Sequence, residues 1–205
     1  METSVKNKIR YNNVILIPTD FSEVCDNAIQ HGVELAQFLK YKVCILHVID
    51  RKTEAQLEKD HLVLKSIEQK LEAYKELYEK KFSLTIDTIT REGHIFKVIG
   101  QVATEIKANL MVMGTHGKQG LQHLFGSYAL KIVLDSPCPV VVVQKRSFGE
   151  GYHKIVLPVS GDIEPRQAVE WVLLMCLLFN SKILIYQSQE PDDDLNNRLN
   201  IITRQ

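Results

Sequence analysis

Four short apolar runs constrain this chain more than anything else in it. Residues 14–17, 43–49, 109–113 and 140–143 are apolar almost throughout, with no polar alternation to supply a wet face. Runs of that length, rich in Val and Ile, read as strands buried on both sides. Such strands need helices above and below them. The sequence supplies these, because between the runs the apolar spacing changes to a helical one. Cys25, Ala28, Ile29, Leu35, Ala36 and Leu39 follow the first run. From Glu54 to Lys80 a long amphipathic pattern carries Leu57, Leu64, Ile67, Leu71, Tyr74 and Tyr78 on one stripe. Ile95, Val98, Ile99, Val102 and Ile106 form a third set, and a short helix is expected near 127–135. Residues 83–90 differ from the other strands. They alternate, as in a strand with one wet face, and fit a sheet edge. Strands alternating with helices across short turns argue for a doubly wound parallel α/β sheet with right-handed crossovers.

Composition removes other classes. The chain has 205 residues, 45% hydrophobic and 24% charged, too apolar for a disordered chain. Twenty-five basic residues balance 25 acidic ones, so the global basic field of a nucleic-acid binder is missing. The basic cluster Lys6, Lys8 and Arg10 reads as a solvated arm. No apolar run approaches the ~20 residues of a membrane span, and the polar start is unlike a signal peptide. Cys25, Cys44, Cys138 and Cys176 form no C-x-x-C pair and sit in apolar patterns, as buried thiols of a cytoplasmic protein do.

The pattern restarts after Gly151. A shift of 140 positions aligns residues 14–50 with 154–190 without a gap, and Ile15, Pro18, Ala28, Lys42 and Ile45 meet Ile155, Pro158, Ala168, Lys182 and Ile185. A tandem pair of domains explains this, with residues 1–148 as the first and 149–205 as part of a second. The second copy reads strand, helix, strand and the opening of a further helix at Leu195, Leu199, Ile201 and Ile202. A strand–helix–strand unit cannot bury both faces of its sheet. The expectation is therefore that the chain is a fragment, or that the first domain or another chain supplies the missing half.

Chemistry concentrates in two loops. One runs from Pro18 to Ser22 after the first strand. The other runs from Gly114 to Ser127 after the fourth, with Gly114, Gly117, Gly120 and Gly126. Glycines let successive N–H groups converge on one anion, and the helix opening at Gly126-Ser127 adds unpaired N–H groups and a positive dipole end. His116 and Lys118 can add charge. This outlines a phosphate cradle, although it is neither a Walker A loop nor a G-x-G-x-x-G fingerprint. The plainer alternative is a loop whose glycines only solve turn geometry. In open parallel sheets the ligand crevice lies beyond the strand carboxyl ends, where the strand order reverses. Both loops line it if the first and fourth strands are neighbours.

Taken together, residues 14–22 (VILIPTDFS), 46–48 (LHV), 112–117 (VMGTHG), 126–127 (GS) and 138–143 (CPVVVV) resemble the universal stress protein family, of the UspA-like nucleotide-binding type. The resemblance covers residues 12–145 as a whole domain and 152–205 as part of another. It implies a five-stranded parallel sheet in the order 3-2-1-4-5, of the adenine nucleotide alpha hydrolase-like class. It also implies ATP, or ADP or AMP, across the strand ends, with Mg as a companion. Matched by motif, Pro18, Thr19 and Asp20 would flank the adenosine, and Asp20 would accept from a ribose hydroxyl or base amine. Val48 would pack on the adenine, and Met113 and Gly114 would hold the strand-four side. Gly117, Gly126, Ser127 and the Tyr128 N–H would take the phosphates. The fifth strand, Val140–Val143, would make a homodimer contact, with no nucleic-acid or membrane partner. The role implied is regulation in stress adaptation.

One departure stands out. Eight residues separate Gly117 from Gly126, where the family usually has nine. That spacing favours the alternative of a nucleotide-free interaction module of the same fold. Plainer roles also stand beside the sharp ones. Asp20 with Glu23 resembles a capping box, and Ser127 suits a helix cap. His116 and His123 read as solvated loop histidines, and His47 as a satisfied core side chain. No residue pair offers a general base beside an in-line water, so any hydrolysis would be slow. The second copy has Ser160 and Ser188 where the first has Asp20 and Val48, and a nucleotide site there is not expected.

Overall fold

The structure is a computed structural model that describes residues 13–51, 53–55, 64–115, 127–144, 148–149, 151–159 and 166–187. Its contacts divide the chain into two compact units, Met1–Ser147 and Phe148–Gln205.

The first unit runs β1 (Val14–Thr19), α1 (Glu23–Leu39), β2 (Lys42–Ile49), α2 (Leu64–Phe82), β3 (Ile86–Glu92), α3 (Ile95–Glu105), β4 (Leu110–Gly114), α4 (Ser127–Leu134) and β5 (Val140–Val143). The strands form one sheet in the order β3-β2-β1-β4-β5, and every pairing is parallel. The order reverses between β1 and β4. The uninterrupted apolar runs are explained by what covers them. On one face Leu16, Cys44, Leu46, Val48, Met111 and Met113 pack with Val98, Ile99 and Val102 of α3 and with Ala129 and Ile132 of α4. The alternate residues Ile15, Ile17, Val43 and Ile45 are fully enclosed on the other face, where α1 and α2 pack. Each such aliphatic side chain contributes about 1.5–3 kcal/mol by leaving water.

Helix and strand ends follow local chemistry. Ser22, in extended backbone, caps α1, its Oγ accepting from the Cys25 N–H at 3.4 Å. Asp20 sits two residues before the cap and accepts the Ser22 N–H at 3.0 Å. The capping-box reading of Asp20 and Glu23 is therefore corrected, since the cap belongs to Ser22. Lys40 takes the left-handed conformation and ends α1 by donating to Ala36 and Gln37 carbonyls. β3 starts three residues later than the alternation suggested, because Ser83 takes a positive φ and interrupts the extended backbone. Residues 53–55 and 64–82 of the long amphipathic stretch are helical. At the amino end of β4, buried Asn109 bonds to β1 through both its groups. Its N–H donates to the Val14 carbonyl at 2.9 Å, and its Oδ1 accepts the Val14 N–H at 3.1 Å.

The second unit contains β6 (Lys154–Val159), α5 (Arg166–Phe179) and β7 (Lys182–Gln187), with β6 and β7 parallel. It repeats the β1–α1–β2 plan at a shift of 140 positions. Lys154 pairs with Lys182 as Val14 pairs with Lys42. The Lys42 N–H donates to the Asn13 carbonyl at 2.7 Å, and the Lys182 N–H to the His153 carbonyl at 2.8 Å. Asn180 takes the left-handed conformation that Lys40 takes. Phe148, Tyr152 and Phe179 pack edge to face beside Gly151, where a Cβ would overlap the Phe179 ring. Leu157 and Val169 form a small core with Val172 and Ile183. Among the described residues the opposite sheet face is open. Val156, Leu184 and Tyr186 are 62%, 42% and 67% exposed, whereas their counterparts Leu16, Cys44 and Leu46 are 0%, 2% and 0% exposed.

Candidate functional site

The carboxyl ends of β1, β2 and β4 bring together six of the residues singled out in the sequence. Pro18 and Thr19 close β1, Val48 lies near the end of β2, and Met113 and Gly114 close β4. β1 pairs with both β2 and β4, so these ends lie side by side at the reversal of strand order. The pleat sorts them. Val48 and Met113 belong to the α3 face, and Pro18 shares that parity with Leu16. Thr19 points to the α1 face. Asp20 lies just beyond the strand and is exposed.

Gly114 has a close-packing reason. A Cβ there would stand 2.8 Å from Val24 Cγ1 and 3.0 Å from the Val24 carbonyl oxygen. The first turn of α1 therefore rests directly on the end of β4. Ser127 and Tyr128 lie in the first turn of α4. His116, Gly117, Lys118 and Gly126 lie outside the described residues.

The Asp20 carboxylate is built as an anion. Burial of its flank pushes the carboxyl up, but hydrogen bonds from Ser22 and Cys25 outweigh that and hold it below the ordinary value. It is ionised and solvent-facing at neutral pH, as an acceptor for hydroxyl or amine donors should be. The thiols are poor nucleophiles by contrast. Burial raises Cys25 to about 11 and Cys44 to about 12, and it raises Cys138 and Cys176 as well.

Sequence reasoning missed what braces this turn. His47 is not fully satisfied: its Nδ1 bonds to the Thr19 carbonyl, but its buried Nε2 has no partner among the described residues. Phe21 stacks on the His47 ring, and Tyr74 of α2 lies parallel to Phe21 with ring centroids 6.1 Å apart. Tyr74 was assigned to the apolar stripe of its helix, and its hydroxyl in fact donates to Asp26 of α1. A surface groove of about 790 Å³ between α3 and α4, lined by His94, Phe96, Gly100, Thr104, Lys131 and Asp135, holds none of the strand-end residues. Among the described residues no cluster of His, Cys, Asp or Glu could hold a metal, and no helix is long and apolar enough to cross a membrane.

The profile of the Universal stress protein family matches residues 12–144, the stretch that forms the five-stranded unit. This chain belongs to that family. It is 30% identical over 153 residues to the universal stress protein MJ0531 of Methanocaldococcus jannaschii, covering 71% of this chain and 89% of that one. Two solved universal stress proteins share the fold. One, from Archaeoglobus fulgidus DSM 4304, aligns over 94% of this chain and 73% of its own, with a TM-score of 0.65 at 16% identity. The other, solved in complex with cAMP, aligns over 66% of this chain and 99% of its own, with a TM-score of 0.51 at 18% identity.

Proposed function

We propose that the first unit binds ATP, or the related ADP or AMP, across the carboxyl ends of β1, β2 and β4, and that the bound nucleotide marks the state of a regulator in stress adaptation. The observation that carries this reading is the adjacency of β1 and β4 at the reversal of strand order. Two loops with unusual residues leave neighbouring strands there. One presents the ionised Asp20, and the other opens the glycine-rich segment from Gly114 to Ser127. A universal stress protein of this fold holds cAMP, so an adenine nucleotide is within the reach of the architecture. Pro18, Thr19 and Asp20 would flank the adenosine, and Val48, Met113 and Gly114 would line the strand side. His116, Gly117, Lys118, Gly126, Ser127 and Tyr128 would take the phosphates.

The second unit is read as a partial second copy that carries no site of its own. Ser160 and Ser188 stand in place of Asp20 and Val48, which removes the carboxylate and the apolar wall. A homodimer through β5 is supported by its place at the sheet edge and by half-buried Val140, Val141 and Val142, since an apolar edge strand invites pairing. The eight-residue spacer between Gly117 and Gly126 favours a second reading, a nucleotide-free interaction module.

Extraction of copurified nucleotide, with calorimetric titration of ATP into wild type and Gly126→Glu, separates the two readings. The nucleotide reading expects saturable heat that Gly126→Glu abolishes, because a carboxylate there would oppose the phosphates. No nucleotide and no heat at millimolar ATP would leave the interaction module. Unchanged binding in Gly126→Glu would move the phosphates elsewhere.

A further inference from the structure

His47 lies on β2, on the sheet face opposite Val48, and is only 4% exposed. Its Nδ1 is 2.8 Å from the Thr19 carbonyl oxygen. A carbonyl only accepts, so Nδ1 carries the proton and the neutral ring keeps its lone pair on Nε2. The ring of Phe21 stacks on it with centroids 4.5 Å apart and planes 28° from parallel. Phe21 has φ +59°, a left-handed conformation that bulky side chains rarely adopt. Three contacts hold it there besides His47. Its N–H donates to Thr19 Oγ1 at 3.0 Å, the Lys70 amine lies 5.3 Å from its ring centroid, and the Tyr74 ring lies parallel at 6.1 Å. The turn is thus clamped between β2 and α2, with Asp20 at its middle.

We infer that His47 is a positioning residue for adenine-nucleotide binding: its Nδ1–H fixes the Thr19 carbonyl and its ring seats Phe21, so that Asp20 between them is presented to the ligand. This rests on the nucleotide reading above and adds a regulatory consequence to it. The clamp requires the neutral ring, because a second proton would fall on Nε2, buried without an acceptor among the described residues. Burial lowers the ring's affinity for that proton, and Lys70 works in the same direction. The Thr19 carbonyl and the Asp20 and Asp50 carboxylates work against it. Among the described residues, Cys25 and Asp26 on α1 and Tyr74 on α2 are further titratable groups near the stack. Acidification below the ordinary histidine range therefore drives the ring out of its seat and loosens the turn, and nucleotide affinity falls with it.

The test is ATP titration into the full chain as wild type, His47→Asn, His47→Phe and Asp20→Ala, with circular dichroism on each. Asn puts an amide N–H where Nδ1–H stands and does not titrate, whereas Phe keeps the stack and loses the donor. At neutral pH His47→Phe, which loses the donor, and His47→Asn, which loses the ring that seats Phe21, are each expected to bind about tenfold more weakly than wild type. As pH falls from about 6.5 toward 4.5 the wild-type affinity should fall relative to that of His47→Asn, a ratio in which protonation of ATP itself cancels. Wild-type affinity in His47→Phe or in His47→Asn, or a ratio that stays constant with pH, would each overturn the inference. If His47→Phe does not fold, the pH ratio decides alone. Loss of binding in Asp20→Ala with full binding in His47→Phe removes only the positioning role. Unaltered binding in Asp20→Ala overturns the placement of the adenosine at Asp20, and no binding in wild type overturns the nucleotide reading itself.

Discussion

The units β1–α1–β2 and β6–α5–β7 share register, turn conformations and even individual backbone hydrogen bonds, yet their sheets meet different surroundings. Leu16, Cys44 and Leu46 are sealed under α3, while Val156, Leu184 and Tyr186 at the same positions stand open. The difference teaches what each part of the sequence specifies. A strand–helix–strand segment encodes its own pairing and one covered face. The other face depends on elements that come later in the chain, here α3 and α4. The chemistry follows the same division. The strand ends that present Asp20 and Val48 belong to the sheet that is covered on both sides, and their equivalents in the bare unit are serines.

The comparison breaks most easily at Leu16. Leu16→Ala empties a fully enclosed position and is expected to cost about 3 kcal/mol in urea unfolding followed by far-ultraviolet circular dichroism. A loss of a few tenths would mean that the first unit's core is not sealed as described.

His31 sharpens it through pH. Burial lowers this histidine from 6.5 to about 4, so the folded state favours the neutral ring. Its contribution is present above pH 6.5 and is lost as pH falls toward 4, a change of up to about 3 kcal/mol. The residue at the equivalent position is Trp171, the chain's single tryptophan, which does not titrate. Its fluorescence therefore reports on the second unit while circular dichroism is dominated by the first. The acid-induced loss should appear in the first signal less than in the second, and His31→Gln should flatten it.

Gly114→Ala comes next. The added methyl meets the Val24 carbonyl as well as its side chain, and the backbone must shift. A destabilisation of about 1–3 kcal/mol is expected, together with weaker nucleotide binding, because β4 and the first turn of α1 move apart. Ala tolerated without either effect would contradict the close approach. The smallest effect belongs to Val156→Ala, expected within about 0.5 kcal/mol because the side chain is mostly solvated. A cost approaching that of Leu16→Ala would show that this face is covered in solution.

Much of this was legible in the sequence, for stated reasons. The strands declared themselves because burial on both sides demands uninterrupted Val, Ile and Leu, and the strand-end turns because Pro18, Asp20 and Gly114 answer local backbone needs. The cap was misread because Asp20 and Ser22 both suit the role, and only the left-handed turn at Phe21 decides for Ser22. The clamp on that turn was not legible at all. It joins Thr19 to His47 across 28 positions and Asp26 to Tyr74 across 48, and no local pattern records such pairings. Tyr74 fits a helical apolar stripe equally well with or without a partner for its hydroxyl.

The most direct test of the division between the units is the stoichiometry of ATP binding, read by calorimetry and mapped by amide hydrogen exchange. One nucleotide per chain is expected, with exchange slowed around Pro18–Phe21 and Met113–Thr115 and unchanged around Leu157–Val159. Two nucleotides per chain, slowed exchange confined to the second unit, or no binding at millimolar ATP would contradict it.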